Sequence, residues 1–234
     1  MRARTIGIVQ LARGVGKSTL ATSLAGELSR FDPVALIDCD TLQGHAATWA
    51  ALRQDEMYSA QLSVHRASTP GALLDRAYHM REAKGYVIID ATPDRELLAA
   101  AVALADMCLV PVQGDDPFAA AVPTLEIIRQ ALRRPRVRLV RTRVQSRRDP
   151  GVRKGPKLLQ TCLADRNAYR EALSRGRTAA ETFDPVARDE VQALAMEMRF
   201  LLRPALPVLR PDAEGWPVTQ TAIPTPRALF HVTG

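Results

Sequence analysis

Short apolar runs alternate along this chain with longer segments in which apolar residues recur every three or four positions. The runs are residues 6–9, 34–37, 62–64, 87–89, 107–112 and 137–140. The longer segments are residues 18–29, 71–83, 95–105 and 117–132. A short apolar run predicts a buried strand, and the wider spacing predicts an amphipathic helix. Strand and helix in regular alternation predict βαβ units. The expected fold class is therefore α/β, doubly wound, with a mostly parallel sheet and helices on both faces. A last helix is expected over residues 191–202, with Leu194, Met198 and Leu201 on one face. Beyond it, Pro204, Pro207, Pro211, Pro217, Pro224 and Pro226 exclude a continuous helix. The expected organisation is a single domain over residues 1–203 with a Pro-rich C-terminal tail over residues 204–234, packed through Trp216 and Phe230 if at all.

In sheets of this kind ligands bind at the carboxyl ends of the strands, so those ends carry the candidate chemistry. The first run leads into Arg13-Gly14-Val15-Gly16-Lys17-Ser18-Thr19 and then into a helical segment. Glycines between a strand and a helix allow backbone N–H groups to turn inward on an anion, and the helix start adds its positive dipole end. In that setting Lys17 reaches terminal phosphates and the Ser18 hydroxyl binds Mg²⁺. The strict G-x-x-x-x-G-K-[ST] pattern is not met, because position 11 is Leu. A tight glycine turn before an ordinary helix is the plainer reading of the loop alone. The second strand ends in Asp38-Cys39-Asp40, a pair suited to a bound metal and a water, and equally to capping a turn. The fourth ends in Asp90, where a carboxylate after an apolar strand holds Mg²⁺ in a Walker-B arrangement or caps the helix at Arg95.

Composition adds a partner class. The chain has 234 residues and a net charge of +7. Its pI is near 9.8, which favours a polyanionic partner. Only Lys17, Lys84, Lys154 and Lys157 are lysines, so arginine supplies the rest of the positive charge. Arginines are dense from Arg133 to Arg177, and Arg147, Arg148, Arg153, Lys154 and Lys157 are the candidate contacts to double-stranded DNA phosphates. A solvated face in an Arg-rich chain is the plainer reading. Cys39, Cys108 and Cys162 are scattered, without metal-ligand spacing. The absence of a signal-peptide core or membrane-length apolar run, together with the cysteine usage, leads to the expectation of a cytoplasmic protein.

These motifs, in this order, resemble the ParA/MinD family of deviant Walker-A ATPases, and within it the small plasmid-partition ParA proteins. The resemblance covers roughly residues 4–200. Residues 9–19 match the family's phosphate loop. Asp38-Cys39-Asp40 with Gln43-Gly44 and Trp49 is similar to its D-x-D-P-Q-G stretch, and Asp90-Ala91-Thr92-Pro93 to its D-x-P-P segment. Leu109-Val110-Pro111-Val112-Gln113 with Asp116-Pro117-Phe118 resembles its next strand and loop. The segment ending in Gly176-Arg177-Thr178 resembles its late helix. The resemblance implies a P-loop fold, ATP and Mg²⁺ as cofactors, and a phosphate cradle of Arg13, Gly14, Val15, Gly16, Lys17, Ser18 and Thr19. It implies Mg²⁺ held by Ser18, Asp38 and Asp90, and catalysis by Lys17, Asp38 and Asp40, with Asp40 favoured for the attacking water. It also implies an ATP-dependent homodimer, nucleoid association, and a ParB-like adaptor or centromere-binding protein as partner. The cargo is then a plasmid, a chromosome region or another large body. MinD-type relatives end in an amphipathic membrane helix, which the Pro-rich tail cannot form.

Two positions depart from the family pattern. Its signature lysine, which reaches across the dimer, falls on Ala12, and the first glycine of its loop falls on Arg13. Arg13, Lys154 and Lys157 are the candidate replacements for the missing cation. If none replaces it, the chain is a nucleotide-binding scaffold with little turnover. A small-molecule enzyme of the same loop class is a further alternative, which the Arg-rich second half disfavours.

Overall fold

The computed structural model describes residues 2–40, 44–53, 61–82, 85–113, 116–145 and 156–203, and the short strands Arg210–Pro211 and Pro217–Val218. By internal contacts the chain divides into two units, Met1–Leu201 and Leu202–Gly234. In the second, β8 (Arg210–Pro211) and β9 (Pro217–Val218) pair antiparallel.

The first unit is built on one sheet. Its strands are β1 (Arg4–Ile8), β2 (Val34–Asp38), β3 (Leu62–Arg66), β4 (Tyr86–Asp90), β5 (Met107–Val112), β6 (Arg136–Arg141) and β7 (Lys157–Leu158). They run in the order β3-β2-β4-β1-β5-β6-β7, and every pairing is parallel. The expected α/β class stands, with a sheet that is parallel throughout. The inner strands are apolar on both faces because helices cover both. Every residue of β2 and β5 is buried. In β4, Val87 and Ile89 join the core that Leu98, Ala101 and Val102 enter from the neighbouring helix. Ile88, fully buried between them, takes the opposite face by strand alternation. Pro111 is tolerated in β5 because the pairing with β1 ends at Leu109.

The helices are α1 (Lys17–Leu28), α2 (His45–Leu52), α3 (Pro70–Met80), α4 (Arg95–Leu104), α5 (Pro117–Gln130), α6 (Asn167–Ser174) and α7 (Pro185–Leu201). A 3₁₀ turn, Ala179–Glu181, precedes α7. Helix α1 is buried from Leu20 to Leu28, between the sheet and α7. That position explains its small residues, Ala21, Ser23, Ala25 and Gly26, where a surface helix would show a polar stripe. Helices α3, α4 and α5 start on a side-chain cap, and the one at Arg95 is capped by Asp94 rather than Asp90. Thr69 accepts from the Ala72 amide, Asp94 from Glu96 and Leu97, and Asp116 from Phe118 and Ala119.

Three features differ from the expectation. Helix α7 begins six residues before position 191, at Pro185, with the Asp184 carboxylate accepting from the Val186 and Ala187 amides. That Asp-Pro start is legible in the sequence as an N-cap followed by an N1 proline. Helix α2 was not expected at all, and its cap is remote. The edge strand β7 is two residues long, too short to leave a pattern.

Candidate functional site

A parallel sheet brings all its strand ends to one edge, and here that edge gathers the sequence-predicted loop and carboxylates. The loop from β1 to α1 turns at Gly14 and Gly16, whose φ values are +72° and +85°. These are left-handed conformations that side chains resist. A Cβ at Gly14 would meet nothing within 4 Å, so the loop faces open space at that point. Helix α1 starts at Lys17, one residue before the expected Ser18, with Gly16 as its N-cap. The Lys17 ammonium donates to the Ala12 carbonyl at 2.7 Å, folding over the loop. Burial is the main influence that lowers its pKa, Asp90 and Asp40 oppose the shift, and Arg13 adds to it. Arg13, Gly14 and Ala12 are exposed, Ser18 and Thr19 are half-buried, and Val15 is buried.

Residues to which the sequence reading gave no role hold the loop in place. The Thr142 hydroxyl, at the end of β6, donates to the Val15 carbonyl at 2.8 Å. Gln113 Nε2 donates to the Gly14 carbonyl at 3.2 Å. Gln10 accepts from the Ala12 amide and donates to the Pro111 carbonyl at 3.2 Å, and Thr124 accepts from the Leu11 amide. Gln10, Gln113 and Thr142 follow apolar runs within two residues, a weak signal that only the strand-end rule would have raised, while Thr124 lies within a helical segment. Next to Thr142, Arg143 has φ +51°, the one positive value at a non-glycine among the described residues.

The three carboxylates differ in their surroundings. Asp38 and Asp90 are paired across β2 and β4 in register. Asp90 is buried, and its pKa is pushed up to about 7, chiefly by burial and also by Asp38, against the Ser18 hydroxyl that donates to it. Its Oδ2 has no hydrogen-bond partner. Asp38 is committed to the backbone: Oδ1 accepts from the Asp40 amide and Oδ2 from the Ala47 amide, both at 2.9 Å. It therefore caps α2 from the neighbouring strand. Burial raises its pKa, against those two amides. Asp40 is half-buried, and its carbonyl accepts from the Gly44 amide at 2.8 Å. Arg66, opposite Asp38 at the end of β3, lies against Gly44 and lowers the Asp38 pKa; the sequence reading missed it.

The arrangement fits a magnesium nucleotide. A glycine cradle with open space lies beside Lys17, and a buried carboxylate oxygen without a partner lies beside a serine hydroxyl. Among the described residues no group of three His, Cys, Asp or Glu could hold a metal by itself, so a cation here needs oxygens from Ser18 and from the ligand. Of the candidate DNA contacts, Arg147, Arg148, Arg153 and Lys154 lie outside the described residues. Lys157 is exposed on β7 beside Arg138 and away from the loop edge. Gln43, Trp216 and Phe230 also lie outside. Cys39 and Cys108 are buried and Cys162 is half-buried, all as free thiols. No described helix is long and apolar enough to cross a membrane.

No protein-family model matches the chain. Over 112 residues, 46% of this chain and 48% of the relative, it is 35% identical to the maintenance of carboxysome distribution protein A of Gloeobacter kilaueensis. That match thus spans about half the relative's length. A protein of the same name from Halothiobacillus neapolitanus is 24% identical over 217 residues, covering 81% of this chain and 97% of the relative. Among solved structures the fold matches apo McdA from Cyanothece, with TM-score 0.66 and 17% identity over 84% of this chain and 99% of that one. It matches an Asp-to-Ala variant of that protein in complex with ATP, with TM-score 0.59 and 19% identity over 84% and 96%. It also matches the septum site-determining protein MinD of Pyrococcus horikoshii complexed with Mg-ADP, with TM-score 0.69 and 13% identity over 85% and 97%. The structural neighbours are ParA/MinD-family ATPases, and the resemblance read from the motifs stands at the level of the fold.

Proposed function

We propose that this chain, which carries the ParA/MinD fold, is an ATPase that positions a large cargo by coupling its nucleotide state to association with DNA. The observation that supports it most is the Ser18–Asp90 pair at the foot of the glycine cradle, with Asp90 Oδ2 buried and without a partner. In this reading Lys17 leaves the Ala12 carbonyl to meet the terminal phosphates, and the loop amides hold the remaining oxygens. Ser18 and, through water, Asp90 hold Mg²⁺, which when bound offsets phosphate charge. Asp40 orients the attacking water. Asp38 acts through position: by holding the Asp40 and Ala47 amides it sets where Asp40 stands.

The names of the curated relatives favour a carboxysome-type compartment as cargo over a plasmid, with an adaptor protein linking it to the ATPase. A homodimer formed on ATP remains part of the proposal. Ala12 supports a second reading, a nucleotide-binding scaffold with negligible turnover, because a sandwich of two nucleotides lacks its usual trans cation there.

The test is calorimetry with ATP and Mg²⁺ on wild type and Lys17→Ala, followed by phosphate-release assays. Binding in the wild type that falls at least a hundredfold in Lys17→Ala supports the site. Equal affinity in both overturns it. Tight binding without measurable turnover selects the scaffold.

A further inference from the structure

The amino-terminal edge of the sheet, opposite the phosphate loop, carries a cluster of arginines that the ATPase reading does not use. Arg2 and Arg133 both approach Oδ1 of Asp106, while Asp106 Oδ2 accepts from the Thr5 amide at 2.9 Å. Arg81, at the end of α3, donates to the Thr5 hydroxyl at 3.2 Å and to the Leu104 carbonyl. Three guanidinium groups thus crowd one carboxylate whose oxygens are all engaged. The crowding registers in Arg81, whose pKa is lowered by burial first and by Arg2 and Arg133 as well. Arg2, Arg81, Tyr78 and Glu82 line an open cavity of about 470 Å³. Tyr78 is 70% exposed. Arg134 and Arg136 continue the stripe, both exposed, and Arg136 is anchored through the Leu201 carbonyl at 2.6 Å.

We propose that this edge is a phosphodiester-binding surface, in which Arg2, Arg81 and Arg133 around Asp106 grip the backbone of duplex DNA. Guanidinium forks and a phenol hydroxyl are the donors that suit phosphate oxygens. The guanidinium groups are held before any ligand arrives, Arg81 by the Thr5 hydroxyl and the Leu104 carbonyl, Arg2 and Arg133 by Asp106. The stripe crosses three strand spacings, roughly 14 Å. A duplex, with a charge about every 1.7 Å along its axis, presents several phosphates over that length. Only the choice of DNA among polyphosphates rests on the positioning function proposed above. The two edges are a strand length apart, roughly 17 Å for five residues, so contacts at one leave the other intact.

The test uses the full chain and a fluorescent duplex of arbitrary sequence, titrated at several salt concentrations. Arg2→Glu plus Arg133→Glu is compared with the charge-matched pair Arg170→Glu plus Arg188→Glu, and with Arg147→Glu, Arg148→Glu and Arg153→Glu together. The amino-edge pair should weaken binding at least tenfold at low salt, flatten the log–log salt slope by about 2, and leave ATP affinity unchanged. Should that pair misfold, Arg2→Gln plus Arg133→Gln reads the same contrast. A loss no larger than in the charge-matched pair overturns the proposal, as does a loss confined to the Arg147, Arg148 and Arg153 variant. Binding of anionic phosphatidylserine vesicles without binding of DNA overturns it too. If wild type binds DNA through this edge yet shows no affinity for ATP, the surface stands and the ATPase reading falls.

Discussion

Asp38 and Asp40 stand two residues apart with different work. Both oxygens of Asp38 meet backbone amides, so Asp38→Ala leaves two amides unpaired in a buried setting. Each such loss costs about 1–3 kcal/mol. Asp40 is half-buried, and it is its backbone carbonyl that accepts from the Gly44 amide at 2.8 Å. Asp38→Ala should therefore lower the urea midpoint and abolish turnover together. Asp40→Ala should keep ATP affinity while slowing turnover. A urea midpoint for Asp38→Ala equal to that of wild type would remove the capping role from Asp38. The Asp-x-Asp spacing was visible in the chain, but the division of labour was not, since it depends on which amide each carboxylate reaches.

Helix α2 links the site to the C-terminal layer. At its start Asp38 holds Ala47. At its end the Trp49 indole donates to the Arg177 carbonyl at 2.9 Å, and Arg53 makes a forked pair with Glu181 and donates to the Gly176 carbonyl at 3.1 Å. The Arg53 guanidinium also lies over the Trp49 ring, 5.1 Å from its centroid. Gly176 closes the junction: its φ is +67°, and a Cβ there would overlap the Leu52 carbonyl carbon. Gly176→Ala combines a left-handed strain of roughly 1–2 kcal/mol with a backbone clash. It should lower the melting temperature by several degrees and reduce turnover with little change at Lys17. A melting curve that overlays the wild type would show that α2 is not held from this end. Eight residues with Ala at half their positions gave no period strong enough to announce this helix. The glycine and the tryptophan that fasten it were visible only through the family resemblance.

Over the whole molecule, buried and half-buried carboxylates give opposite pH responses. Burial tends to raise the Asp106 pKa, but the Thr5 amide, Arg133 and Arg2 outweigh it and hold it below its ordinary 3.8. A depressed carboxylate contributes stability above its unfolded value and loses it as pH falls through the folded one. Glu181, held below 4.5 by Arg53 and the Thr178 amide against burial, behaves alike. Glu27 runs the other way: burial raises it above 4.5, so its contribution is present below that value and disappears as pH rises through the folded one. Asp106→Asn should lower the urea midpoint at neutral pH and approach wild type as pH falls below 3.8. Glu27→Gln should raise the neutral midpoint, with the gain shrinking in acid. Parallel curves for wild type and both variants from about pH 3 to 7 would refute this assignment.

The order of apolar runs and helical segments by itself determined a parallel α/β sheet with its ligand edge at the strand ends. Burial on both faces leaves strands no other composition, and parallel neighbours require helical crossovers. The sequence also named Lys17, Ser18, Asp38, Asp40 and Asp90, because a loop between the first strand and helix, and acids at strand ends, must fall on that edge. The tertiary structure alone decided that Asp38 caps α2, that Thr142 and Gln113 fasten the loop, and that Arg2, Arg81 and Arg133 converge on Asp106. Those partners lie between 9 and 127 residues apart in the chain. A hydrogen bond or ion pair at such separation leaves no local pattern, since it exists only once packing has brought the two groups within about 3 Å.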